Sequence, residues 1–148
     1  LARRAVADQM ETVQIELSRQ AISTMLDSAR SGAPQEVCGM LFGNGARITH
    51  AVCAANVAPD PSRHFEIDPV ALIGAHRAMR AGGPALLGYF HSHPNGLARP
   101  SATDADSAAR DGRVWIIAAP IDNGDWTITC WHDGPNGFEA LSYRVMES

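Results

Sequence analysis

Not one of the 148 residues is lysine; all twelve basic side chains are arginine. Schiff-base and lysine-nucleophile chemistry are thereby excluded, because a guanidinium does not give up its proton near neutral pH. Basic residues are outnumbered by 16 acidic ones, and the net charge of −4 lacks the excess that a nucleic-acid-binding surface carries. Cysteine occurs only at Cys38, Cys53 and Cys130, with no CxxC pair. A disulfide framework and a Cys-rich structural zinc site are therefore not expected, and a cytoplasmic setting is. No apolar run approaches the ~18 residues of a bilayer span. Residues 1–9 carry charge but no apolar stretch of a secretory signal. Residues 1–11 read as an extension, disordered or derived from cloning, ahead of one domain over 12–148.

What is present is an ordinary globular composition, 45 % hydrophobic and 19 % charged, long enough to bury one core. Val13, Ile15 and Leu17 alternate as in a half-buried strand. Ser18 then caps a helix with Ile22, Met25, Leu26 and Ala29 on one face. Val37–Phe42 predicts an apolar strand turning at Gly43-Asn44-Gly45 into a partner over 46–54. Phe65-Glu66-Ile67 is expected to be extended, and Asp68-Pro69 opens a second helix to Arg80. Ala85–His91 is a further strand. Ser101-Ala-Thr-Asp104 predicts a capping box and a helix to about Arg110. Strands over 114–119, 125–131 and 138–145 complete an α+β domain, a mixed, mostly antiparallel sheet flanked by helices. Cys38 and the three tryptophans read as packing residues, and His50, His64, His76 and His132 lack the spacing of metal ligands.

The chemistry concentrates after the Ala85 strand, in His91-Ser92-His93-Pro94. Residues two apart in a strand share a face, so His91 and His93 aim their rings together while Ser92 points away. A Pro/Gly loop and the first turn of a helix return Asp104 as a third ligand. Two histidines and one carboxylate leave a zinc ion one open position, the composition of a catalytic site. A water held there has its pKa lowered from 15.7 to roughly 7. Glu36, at the mouth of the Val37 strand, is the candidate base, its pKa raised by partial burial. Ser101 is the candidate donor to a developing oxyanion. The bland alternatives are a cap for Ser101 and Asp104 and a solvated strand edge for Glu36. HExxH is absent, as is the deaminase pattern of HxE with PCxxC, and an amidohydrolase barrel needs about 250 residues.

The joint pattern is more specific than its parts. His91-x-His93-Pro94, Ser101 and Asp104, preceded by Glu36-x-Cys38-Gly39-x-Leu41-x-Gly43, closely resembles the JAMM/MPN+ metalloprotease signature over about residues 12 to 145. The resemblance implies a curved mixed sheet with flanking helices, layered like the cytidine-deaminase-like folds. It also implies one Zn2+ per chain on His91, His93 and Asp104, Glu36 as catalytic base and Ser101 as oxyanion-supporting hydroxyl. Val114 begins only ten positions after Asp104, leaving no room for the insertions of eukaryotic deubiquitinating relatives. The chain therefore resembles the compact prokaryotic branch, some of which trims the Gly-Gly tails of ubiquitin-like sulfur carriers. A small β-grasp protein is the expected substrate and partner, with no nucleic acid or membrane and a homodimer left open. The alternatives are a zinc amidase acting on a small molecule or cell-wall peptide, and a non-catalytic MPN scaffold.

Overall fold

The computed structural model describes residues 14–146. The extension expected at 1–11, and Val13 of the first strand, lie outside the described residues. Seven strands and three α-helices follow in the order β1 (Gln14–Leu17), α1 (Arg19–Gly32), β2 (Cys38–Asn44), β3 (Arg47–Ala54), α2 (Pro69–Arg80), β4 (Ala85–Ser92), α3 (Ala102–Ser107), β5 (Val114–Pro120), β6 (Trp126–Gly134) and β7 (Gly137–Val145). Among the described residues no helix is long and apolar enough to cross a membrane.

The curvature expected of the sheet runs to closure. The strands form a barrel ordered β1-β3-β2-β4-β5-β6-β7, and β7 returns to pair in parallel with β1. Four of the seven pairings are antiparallel; β1/β3, β1/β7 and β4/β5 are parallel. Short β1 is paired on both sides, so among the described residues the sheet keeps no open edge of the kind that invites aggregation.

The two faces of β2 show how alternation organises the packing. Leu41 joins Leu17, Met25, Phe90, Ile116 and Ile128 in a core covered by α1. Cys38 and Met40 turn the other way, to Ile67, Ala75 and Leu86 beneath α2. Gly39 lies between them because a Cβ there would overlap the Phe90 ring and the Val52 carbonyl. Each fully buried large apolar side chain contributes roughly 1.5–3 kcal/mol, so Met25, Leu41 and Phe90 anchor the helix to the sheet.

Helix starts follow local chemistry. The Ser18 hydroxyl accepts the Ala21 N–H at 3.0 Å and donates to the Thr49 carbonyl at 2.7 Å, capping α1 and tying it to β3. Asp68 accepts the Val70 N–H at 3.0 Å, with Pro69 at the first helical position. Several boundaries differ from expectation, among them β6, which runs on to Gly134 rather than ending at 131. Gly43 and Asn44 stay in the strand, and the hairpin turns on Gly45-Ala46 with Gly45 at φ +63. Helix α3 stops at Ser107 instead of reaching Arg110. Arg110 adopts φ 55 and donates its N–H to the buried Asp133 carboxylate at 3.0 Å, a tertiary contact that overrides helix continuation.

Candidate metal centre

Strand β4 delivers both imidazoles to one place. His93 lies one residue beyond the strand, yet its N–H still donates to the Ala118 carbonyl of β5 at 2.8 Å, so the alternation of side chains continues through it. His91 and His93 converge with their Nε2 atoms 3.0 Å apart. Asp104 Oδ2 is 3.1 Å from each. All three residues are buried.

A reciprocal cap at the start of α3 positions the aspartate. Ser101 N–H donates to Asp104 Oδ2 at 2.9 Å, while Ser101 Oγ accepts the Asp104 N–H at 3.0 Å. The bland reading of this pair as a helix cap is thus realised, and the same bond orients the carboxylate toward the histidines. The Ser101 hydroxyl proton is not used by the cap, and Ser101 lines the cleft beside the triad. Cap and cleft donor are compatible roles for one hydroxyl.

The triangle fits a cation. His93 Nδ1 is 2.8 Å from the Leu97 carbonyl. A carbonyl only accepts, so Nδ1 carries the proton and, in the neutral ring, Nε2 presents a lone pair. That lone pair faces a carboxylate oxygen and a second imidazole nitrogen, and one proton on His91 can serve only one of the three edges. A positive ion at the centre satisfies all three. The 3.0–3.1 Å edges are close to the ~3.3 Å edges of a tetrahedron built on zinc bonds of roughly 2.0–2.1 Å. Two nitrogens and one oxygen suit Zn2+, and three protein donors leave it an open position.

Glu36 stands one layer further out. A carboxylate oxygen lies within 4.8 Å of ligand nitrogens of His91 and His93, against 3.1 Å for Asp104. Glu36, His91 and His93 by themselves make a possible metal-holding set, but the tighter triangle belongs to Asp104. Glu36 is 8 % exposed. Burial pushes its carboxyl up to about 7, with His93 opposing and Asp104 assisting. For Asp104 burial also acts upward, but hydrogen bonds from His91 and His93 outweigh it and hold the carboxyl below its ordinary range. Full burial lowers the pKa of His91. For His93 the opposing effect of burial is overcome by bonds to Asp104 and the Leu97 carbonyl, and its pKa rises.

Four supporting residues are not evident from sequence spacing. Ser92, which does point away from the metal face, clasps the residue after Glu36: its hydroxyl accepts the Val37 N–H at 2.9 Å and its N–H donates to the Val37 carbonyl at 3.0 Å. Asn56 makes four bonds. Its amide nitrogen donates to the carbonyls of Glu36 and His64, each at 2.9 Å, and its oxygen accepts the N–H groups of Ala58 and Glu66, each at 3.0 Å. Phe65 stacks on His91 with ring centroids 4.2 Å apart. His91 Nδ1 has no hydrogen-bond partner among the described residues, so the stack is what fixes the plane of this ring. The Leu97 carbonyl fixes His93 through a hydrogen bond to Nδ1. The spacing His91-Ser92-His93 tells only that Ser92 turns away from the histidines' face, not what it holds.

A strand-borne histidine pair, a capped aspartate and an outlying buried glutamate on a mixed α+β sheet define the class as a JAMM/MPN-type hydrolytic metal domain. The chain belongs to the family of prokaryotic homologues of the JAB domain, whose model matches residues 18–132. It is 37 % identical over 142 residues to a desampylase of Haloferax volcanii, covering 92 % of this chain and 99 % of that one. It is 24 % identical over 128 residues to the CysO-cysteine peptidase of Mycobacterium tuberculosis, covering 85 % and 79 %. The solution structure of a Desulfitobacterium hafniense protein superimposes with a TM-score of 0.78 at 29 % identity, covering 90 % of this chain and 94 % of that one.

Proposed function

We propose that the protein is a zinc-dependent peptidase or isopeptidase that hydrolyses the amide bond after a Gly-Gly-type tail of a small ubiquitin-like or sulfur-carrier protein. The observation that carries this is the His91–His93–Asp104 triangle, with buried Glu36 within 4.8 Å of its histidines, at one wall of a cleft of about 390 Å³. The two relatives, a desampylase and a CysO-cysteine peptidase by name, support a protein substrate.

In this reading His91, His93 and Asp104 hold the metal, which when bound supplies an acidified water and a polarised carbonyl. Glu36 takes the water proton on its carboxylate and returns it to the leaving nitrogen, and a carboxyl near pH 7 is matched to both transfers. Ser101 offers its free hydroxyl proton to the oxygen that gains charge. Glycine residues suit the cleft because a chain without side chains can lie flat along it, bonded through its backbone. Residues 12–148 are proposed as the domain, supported by the closure of β7 onto β1. A cytoplasmic setting is supported by three free cysteines. A homodimer is decided by light scattering.

The test compares kcat/KM for a β-grasp protein extended beyond Gly-Gly with that for a muropeptide and a panel of small amides. Preference for the β-grasp substrate is expected. Preference for the small amides would replace this reading with the amidase, and metal binding without any turnover with the scaffold.

A further inference from the structure

His93 and Ser101 are joined by a loop whose own side chains do little to hold it. Asn95, Gly96, Leu97 and Arg99 are exposed, Leu97 to 63 %, so packing does not secure the segment. Its backbone nevertheless has a task, because the Leu97 carbonyl is what fixes His93 through Nδ1, at 2.8 Å. A second bond, from Gly96 N–H to the His93 carbonyl at 3.2 Å, is equally local. Among the described residues, a single hydrogen bond ties residues 94–100 to another strand. It comes from β6, where the Thr129 hydroxyl donates to the Ala98 carbonyl at 2.7 Å.

The register of the sheet puts Thr129 where it can do this. His91 pairs with Ile117 of β5 and Ile117 with Thr129 of β6, and opposed residues share a face. Trp131, two positions on, lies on that face too, and its indole N–H donates to Thr129 Oγ1 at 2.9 Å. A hydroxyl has one proton to give. With the indole occupying an Oγ1 lone pair, that proton is directed at the Ala98 carbonyl, and each bond of such a chain polarises the next. Trp131, a packing residue by its sequence, thus also spends its polar atom on the loop. The Leu97 and Ala98 carbonyls belong to successive peptide planes, one held by His93 and the other by Thr129. We infer that Thr129, oriented by Trp131, is a positioning residue for the metal: it pins the loop so that the Leu97 carbonyl holds the His93 ring with Nε2 toward the centre. The inference rests on the reading of His93 as a ligand and extends it outward. Neither Thr129 nor Trp131 bonds to His91, His93 or Asp104, so the effect passes through the loop.

The experiment measures the zinc affinity of the full chain, by competition with a chelator, in Thr129→Val, Thr129→Ser and Trp131→Phe. Valine keeps the branched shape and removes the hydroxyl, serine keeps the hydroxyl, and phenylalanine keeps a ring without the N–H. Thr129→Val should bind zinc about tenfold more weakly, the lower end of the range for groups that orient metal ligands. Thr129→Ser should restore the wild-type affinity, and Trp131→Phe should fall between. NMR of the zinc-loaded protein reads the same effect locally, as faster solvent exchange of the His93 Nδ1 proton in Thr129→Val. A purely structural role would lower the melting temperature and leave both readings of the folded protein unchanged. Wild-type affinity and exchange in Thr129→Val would therefore overturn the inference, as would a loss in Thr129→Ser equal to that in Thr129→Val. Should Thr129→Val fail to fold, Trp131→Phe decides by the same two readings. His93→Ala separates the two levels of the account. Unchanged zinc affinity there would remove the ligand assignment and the inference with it, whereas a loss there beside wild-type values in Thr129→Val would remove the inference alone.

Discussion

Glu36 carries two opposing demands. It must be a carboxylate to act as base, and its burial favours the neutral acid, lifting its pKa from 4.5 to about 7. A folded-state pKa above the unfolded value means stability that is full below about pH 4.5 and lost as pH rises through 7. In metal-free protein, E36Q should therefore melt at a higher temperature than wild type at pH 8, with the gap closing near pH 4.5. Equal melting temperatures at pH 8 would show that Glu36 is better solvated than its burial indicates. With zinc bound, Glu36→Ala should keep its metal and lose turnover, and full activity in that variant would remove Glu36 from the mechanism. Asp104→Ala should release zinc by native mass spectrometry, since it removes one corner of the 3.0–3.1 Å triangle; unchanged metal content would disprove the ligand role. Ser101→Ala should cost about 1 kcal/mol of stability as a lost cap and also slow turnover, because it removes the hydroxyl proposed to meet the oxygen that gains charge, while the backbone N–H that orients Asp104 stays.

At the scale of elements, the centre depends on what fastens the Glu36 segment to β4. Ser92 grips Val37 from one side and Asn56 takes the Glu36 carbonyl from the other. Ser92→Ala and Asn56→Ala should lower kcat at least as much as kcat/KM while leaving zinc content unchanged, because neither side chain bonds to the side chains of His91, His93 or Asp104, the proposed ligands. Loss of zinc in either variant would mean the strand itself has moved. The sequence made the elements legible where a local device specifies them: Ser18 and Asp68 as caps, Ile15 and Leu17 as alternation, His91-x-His93 as a shared face. It was silent where distant residues decide. Nothing near Arg110 announces that Asp133, 23 positions later, ends α3 early. Nothing in the spacing of Asn56 announces that it binds Glu36 across 20 positions. Phe65 reads as an ordinary extended aromatic until the fold lays it on His91.

For the whole molecule, closure of the sheet turns a short chain into a rigid frame. Helix α1 covers one face and α2 the other, and the loops leaving β3 and β4 are free to build the cleft. Truncating Met25 to alanine should cost roughly 2–5 kcal/mol by leaving a cavity between α1 and the barrel, read as a lower denaturant midpoint with zinc affinity retained in the folded fraction. On the proposed reading, the cleft of about 390 Å³ takes a slender Gly-Gly-type tail. The central claim is hydrolysis after such a tail by Glu36 and one zinc. It is tested most directly by mass spectrometry of small β-grasp proteins extended beyond Gly-Gly and incubated with zinc-loaded protein, with Glu36→Ala alongside. The account predicts loss of the extension at the Gly-Gly bond with wild type alone. Intact substrates with both proteins, or equal cleavage by both, would contradict it.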